Sequence, residues 1–223
     1  MPIRHCPATA RLRFVDRDDP GRKRLERHIH HCYARTYGAD IQQFLPTLVG
    51  LEAPDGCVLG AMGLRPAACE PLFLEQYLDA PVEQVLAERL GAPVRREALV
   101  ELGNLAAGSP GAARTLIVGL SAYLRGARLE WVVLTAVPSV RNAFRRMNLF
   151  LIDLAAADGT RLGPEQARWG SYYVQRPAVV ACNVQRSYRR LQRAMATERS
   201  LLLLQGLWQD ALDQGTAQAG VCR

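Results

Sequence analysis

Glu101 lies in LVELGNLAAG, a run with the apolar character of a strand. A carboxylate buried there is costly unless it is paired or put to use. Burial would raise its pKa and make it a general base; an arginine such as Arg65 would make it a structural ion pair. Both readings stand on the residues alone. Strand alternation puts Glu101 and Gly103 on one face and Asn104 on the other unless a bulge intervenes. Just beyond, Ser109-Pro110-Gly111 joins the strand to a helix. Ser109 suits the cap, Pro110 the first helical position, and Gly111 a close backbone approach. With Arg114 in the first turn, the unpaired N–H groups there suit a phosphate or pyrophosphate; the alternative is a capped core helix with no ligand. Farther on, Trp169-Gly170-Ser171-Tyr172-Tyr173 could wall a pocket, with a tyrosine hydroxyl as general acid or substrate anchor, or could simply pack a strand edge. His28, His31 and Cys32 share one helical face. Their spacing differs from HExxH and, beyond His30 on the same helix, only His5 is left to complete a set, so an ordinary helix face around a buried Cys32 is the reading, and no metal is expected.

Those residues need elements to hold them. Leu99–Leu149 reads as strand, Ser-Pro-Gly turn, helix, strand, helix, and a strand–helix–strand crossing requires a parallel pair. Upstream, Ala10–Val15 reads as a first strand after a loose terminus at residues 1–9. Lys23–Tyr37 has helical spacing and closes at Gly38. Phe44–Ala53 and Gly56–Leu64 read as a hairpin across Pro-Asp-Gly-Cys. Pro71–Leu78 (PLFLEQYL) is a short strand or a substrate-facing segment, which makes Glu75 a candidate substrate contact. Pro81–Leu90 is a helix ended by Gly91. After Leu149 the chain is irregular and long enough to be a functional loop. Tyr172–Val184, interrupted by Pro177, gives one or two strands. A helix then runs from Gln185 to about Leu212. This order predicts an α/β fold, a mixed sheet with helices on both faces.

The composition is that of a soluble globular chain: 223 residues, 49% hydrophobic and 22% charged. The formal charge of +7 admits an acidic partner, and Lys23 is the only lysine, so the basic set is almost all arginine. No helix-turn-helix, zinc-finger or RNA-motif pattern is present, so nucleic acid is not expected as a partner. Cys6, Cys32, Cys57, Cys69, Cys182 and Cys222 form no CxxC pair. With no apolar leader in MPIRHCPATARLRF, the expectation is a cytoplasmic protein with reduced thiols. Arg186, Arg189, Arg190 and Arg193 precede Leu201–Leu204, Leu207 and Trp208, so the C-terminal helix could lie on an anionic membrane or pack on the sheet; packing is the expectation.

The run from Val100 to Leu149, with WGSYY downstream and a following Pro-x-Val-Val, resembles the thermostable haemolysin family over about Leu12 to Val184. That family in turn resembles the GCN5-related N-acetyltransferase (GNAT) fold, and acyl-homoserine-lactone synthases in particular. The resemblance implies a GNAT-like mixed, mostly antiparallel sheet in residues 1–184, with a helical extension at 185–223. It implies an acyltransferase moving an acyl group from acyl-CoA or an acyl carrier protein to a small amine. Acyl-CoA or acyl-phosphopantetheine would be the co-substrate. Gly111 and Ala113 match the last two positions of the family's pyrophosphate loop, whereas Gly108 replaces its Gln or Arg. Glu101 takes the position of a proposed base; Asn104 stands where the synthases have arginine. The expected roles are a base at Glu101, an acid at Tyr172 or Tyr173, and carbonyl-polarising amides at Leu105, Ala106 and Ala107. The donor phosphate falls to Ser109, Gly111, Ala112, Ala113 and Arg114, with Asn142 as a further donor contact. Asn104, Trp169, Ser171 and Glu75 face the substrate. A membrane-active haemolysin and a non-catalytic ligand-binding module are the alternatives.

Overall fold

The parallel crossing predicted from Leu99 onward lies at the centre of one seven-stranded sheet in the computed structural model, which describes residues 10–221. The expected loose terminus at residues 1–9, with His5 and Cys6, and Cys222 lie outside the described residues. The strands are β1 (Arg11–Val15), β2 (Thr47–Glu52), β3 (Val58–Pro66), β4 (Leu99–Ala107), β5 (Trp131–Ala136), β6 (Ile152–Ala156) and β7 (Ala178–Asn183). Their spatial order is β1-β2-β3-β4-β5-β7-β6, antiparallel throughout except for β4 beside β5.

Helices cover both faces. Helix α1 (Arg22–Tyr37) buries Leu25, Ile29 and Tyr33 on one face, closing at Gly38 with φ +64°. The same face carries a 3-10 turn (Phe73–Tyr77) and α2 (Val82–Leu90). On the other face, α3 (Pro110–Gly126) buries Leu116, Ile117 and Leu120, beside α4 (Pro138–Arg146) and α5 (Val184–Met195). This is the mixed, mostly antiparallel α/β architecture expected.

Two elements differ from expectation. The stretch after Leu149 contains β6, an edge strand, before an irregular 3-10 segment at Gly159–Trp169. The long final helix is instead three: α5, α6 (Arg199–Leu202) and α7 (Gln205–Val221). The apolar stripe of α5 ends at Met195, and the chain turns so that Leu201, Leu204, Leu207 and Trp208 are buried with the α3 core. Of the residues that suggested membrane contact, Leu201, Leu204, Leu207 and Trp208 are therefore covered, whereas Leu202, Leu203, Arg186, Arg189 and Arg193 are exposed. No described helix is long and apolar enough to cross a membrane.

For the site, the decisive feature is where β4 and β5 part. Their pairing runs from Leu99↔Trp131 to Leu102↔Leu134 and stops there, although both strands continue. Beyond Leu102, β4 keeps β3 on one side and has no strand partner on the other. The register against β3 also shifts between Ala61 and Gly63, opposite Asn104, whose φ is +53°. That is the bulge that strand alternation alone would have excluded.

Candidate active site

Gly63 and Gly103 are Cα partners on β3 and β4, and a Cβ on either would reach the side chain of Leu45 at 2.7 and 3.0 Å. The two glycines thus let the loop before β2 lie flat on the sheet. Asn104 ties it down: its Oδ1 accepts from the Leu45 N–H at 2.9 Å and its Nδ2 donates to the Gln43 carbonyl at 3.3 Å. Arg22 donates to the Leu45 and Pro46 carbonyls from the other side. Beneath this cover lies a cavity of about 580 Å³ at the parting of β4 and β5, with Glu101, Arg65, Phe73, Tyr77, Trp169 and Tyr172 in its walls. A second cavity, about 480 Å³, shares Tyr33, Leu102, Gly103, Asn104, Thr135 and Tyr172 with the first and reaches Met62, Ile117, Val140 and Phe144. A third, about 380 Å³ and lined almost wholly by apolar residues under α3, shares Met62, Leu102, Ile117 and Phe144 with the second. The three lie side by side, from Glu101 on one face past the parting of the strands to the opposite face.

Glu101 is 3% exposed, yet its carboxylate forms part of the first cavity's wall. Its two oxygens accept the N–H groups of Phe73 (2.8 Å) and Leu74 (2.9 Å), at the start of the 3-10 turn. Arg65 Nη1 stands 3.9 Å away, beyond hydrogen-bond distance. Burial outweighs the two amides and the arginine and pushes the carboxyl up to about 7. A group with that pKa changes between acid and base near neutrality, as a proton-transfer residue must. The ion pair with Arg65 weighed from the sequence is present, but it is loose and carries no hydrogen bond.

Two further polar atoms at the cavity are buried without a hydrogen-bond partner: Arg65 Nε and Thr135 Oγ1. Buried polar groups in native proteins are nearly always satisfied, so unsatisfied ones lining a cavity point to a missing partner. Tyr172 is buried and donates from its hydroxyl to the Thr135 carbonyl at 3.4 Å. Burial, with four neighbouring tyrosines, raises its pKa well above the ordinary value. Tyr173 shares a hydrogen bond with the hydroxyl of Tyr77, and burial holds Tyr173 at about 12.

Residues 15–188 match the family described as thermostable hemolysin. The chain belongs to the thermostable hemolysin family. Among solved structures it is similar to the AHL synthase LasI, with a TM-score of 0.55 and 14% identity over 79% of this chain and 90% of that one. FeeM, an N-acyl amino acid synthase from uncultured soil microbes, gives a TM-score of 0.55 at 16% identity, covering 82% and 95%. BjaI, a CoA-dependent acyl-homoserine lactone synthase solved with SAM and isopentyl-CoA, gives 0.54 at 9% identity, covering 96% and 100%. At these identities the likeness is one of fold, and the fold is GNAT-like. Comparison with curated proteins gives no match.

Within this hemolysin-family fold the expected site residues divide. Glu101, Asn104, Tyr172 and Trp169 meet at the first cavity, and Leu105 lines the second. Asn104 already spends its amide on the covering loop, so it acts as a strut as well as a wall. Ala106 and Ala107 continue β4 opposite Ala61 and Gly60, past the point where β5 departs. At the head of α3, Ser109 Oγ accepts the Ala112 N–H at 3.2 Å, and the Ala113 N–H bonds to the Ser109 carbonyl. Part of the expected phosphate nest is therefore satisfied internally. Arg114 is turned to Glu198 at 3.0 Å. Asn142 is exposed; α4 offers Val140 and Phe144 to the second cavity, one turn apart, and Asn142 falls between them on the outer side. Ser171 donates to the Tyr37 carbonyl and anchors the aromatic segment to the end of α1. Gly170 there has φ +51°, and a Cβ would lie 2.2 Å from that same carbonyl.

Glu75 stands apart from the cavities. Burial alone would raise its pKa, but Arg96 at 2.6 Å and the N–H groups of Leu72 and Val82 outweigh it and bring Glu75 to about 2. Its work is to fix the 3-10 turn whose amides hold Glu101. The histidines are engaged locally: His30 with Asp40 at 2.9 Å, and His28 with Cys32 at 3.7 Å. Arg65, which sequence reasoning weighed only as an ion-pair partner, and Tyr77 and Thr135, which it missed, are the additions.

Proposed function

We propose that this protein is an N-acyltransferase that moves an acyl group from a CoA or carrier-protein thioester to a small amine. The observation that carries the reading is Glu101, a buried carboxyl poised near neutrality in the wall of a passage between two parted parallel strands. The donor's pantetheine arm would occupy that gap, where the free edge of β4 offers backbone groups and Thr135 Oγ1 lacks a partner. Its acyl chain would follow the passage into the apolar cavity between α3 and the sheet. The head of α3 would face the donor phosphate.

In the reaction the amine nitrogen attacks the thioester carbonyl, a C–N bond forms and the C–S bond breaks. Glu101 takes the proton that the nitrogen releases. Amides of β4 around Leu105–Ala107 would polarise the carbonyl oxygen. The leaving thiolate, with an ordinary thiol pKa of roughly 8.5, must then be protonated. A phenol held at about 12 is a poor donor to it, uphill by about 5 kcal/mol. Protonated Glu101 at about 7 is a favourable one. We therefore assign both proton steps to Glu101 and give Tyr172, Tyr173 and Tyr77 the role of walls that exclude water.

The test is incubation of the purified protein with acyl-CoA and acyl-carrier-protein donors of graded length and a panel of amines. Thiol release and the mass of the amide product are followed together. The reading expects an amide to form and Glu101→Gln to abolish it while leaving donor binding intact. Absence of product with every donor and amine, or full activity in Glu101→Gln, would overturn it.

A further inference from the structure

Arg65 and Glu101 are Cα partners across β3 and β4, so their side chains rise from the same face of the sheet into the same cavity. Among the described residues lining it, they are the one cation and the one carboxylate. They face each other without a hydrogen bond: Nη1 and Oε2 are 3.9 Å apart, and Arg65 Nε, 3.9 Å from the Glu70 carboxylate, is buried with no hydrogen-bond partner. Glu70, also 3.9 Å from Arg65, is already engaged by Arg17 at 3.0 Å. The one hydrogen bond that fixes the guanidinium runs from Nη1 to the Pro71 carbonyl. An arginine held in this way presents a planar fork suited to a carboxylate.

We propose that the acceptor is an amine carrying a carboxylate, of the α-amino acid class with an apolar side chain, bound by its carboxylate on Arg65 with its nitrogen at Glu101. This rests on the acyl-transfer reading above and names the substrate that would fill that site. One carbon separates the two groups of an α-amino acid, which suits partners whose charged atoms stand this close. Its carboxylate satisfies the guanidinium, its nitrogen meets the base, and Phe44, Phe73 and Trp169 surround the side chain. An amine without the acid leaves Arg65 Nε without a hydrogen bond, and a site built to hydrogen-bond a group discriminates against the analogue that lacks it.

Leucine, leucinamide and isoamylamine share an amine and a side chain and differ at the carboxylate. Calorimetric titration of each into the full-length protein and into Arg65→Gln reads binding, and thiol release from an acyl thioester reads turnover. The wild-type protein should bind and use leucine at least ~10-fold better than either analogue. Arg65→Gln should lose that margin in binding, the affinity ratio of leucine to isoamylamine falling toward unity whatever change in turnover the two share, with Arg65→Lys, which keeps the charge without the fork, in between. Equal affinity of the wild-type protein for all three overturns the proposal. An equal loss for all three in Arg65→Gln does so too, since Arg65 would then act only through Glu101. A protein that binds leucine through Arg65 yet releases no thiol would sink the acyl-transfer reading and leave the acceptor assignment standing.

Discussion

The two faces of the sheet at the parting of β4 and β5 are built from different chemistry. On the α1 side the cavity has aromatic walls, one carboxylate, one guanidinium and polar atoms left unpaired. On the α3 side it is almost entirely aliphatic, with Met62, Ile117, Leu120 and Phe144 around it. A fold that needed only stability would fill both with apolar side chains, because each unpaired buried polar group costs about 1–3 kcal/mol. The polar face carries a cost that the apolar face avoids. On the proposed function, proton transfer and acceptor binding belong to one face and accommodation of an apolar chain to the other.

Substitutions on the two faces should therefore fail in different ways. Glu101→Gln should have the largest effect, a loss of about 10²–10⁴ in turnover with donor affinity unchanged, measured by single-turnover thiol release beside donor titration. Ile117→Phe, on the apolar face, should leave short acyl donors unaffected. It should reduce kcat/KM for long ones by about fourfold for each methylene no longer accommodated, read from a donor-length series. Equal losses for every chain length would show that the apolar cavity holds no acyl chain.

Tyr173→Phe should cost less than about tenfold in turnover, because the hydroxyl pair it breaks walls the site without transferring the proton; the loss of one hydrogen bond is worth about 1 kcal/mol. A loss as large as that of Glu101→Gln would return the acid role to the tyrosines. Gly111→Asp should have the smallest effect on the fold. A Cβ there meets only Ser109 Oγ, at 3.8 Å, and an acidic group in the first turn favours the helix. Its melting temperature should hold or rise, while donor affinity falls about threefold to tenfold at low salt. Unchanged affinity would remove the head of α3 from the donor site.

The apolar face was easier to read in the sequence than the polar one. The helical period in Pro110–Gly126 and the apolar runs of β4 and β5 located α3, its cap and the parallel crossing, because those signals are local. Glu101 stood out because a carboxylate in an apolar strand is anomalous wherever it occurs. Arg65 and Tyr77 reach it only through strand register and the fold-back of the 3-10 turn, which no local pattern encodes. For Asn104 the alternation left two directions open, and the bulge opposite Ala61–Gly63, which turns it to the Glu101 cavity, is not written in the local pattern. The misplacement of Asn142 was one of helical phase, since Val140 and Phe144 take the inner side of α4. The break between α5 and α7 has no Gly or Pro signal at Thr197–Glu198; the demand that Leu204, Leu207 and Trp208 reach α3 sets it.

The proton-transfer role proposed for Glu101 is tested most directly by the pH dependence of turnover with aminooxyacetate, an acceptor whose nitrogen is already neutral well below the pH at which Glu101 ionises. The carboxyl is raised to about 7 and must be ionised to accept a proton, so the rate should climb as pH rises through 7 and then level off. The sign follows from burial favouring the neutral form below that point. Glu101→Gln should show a low rate with no such limb. A wild-type rate that is flat from pH 5 to about 8, or a limb that survives in Glu101→Gln, would contradict the assignment.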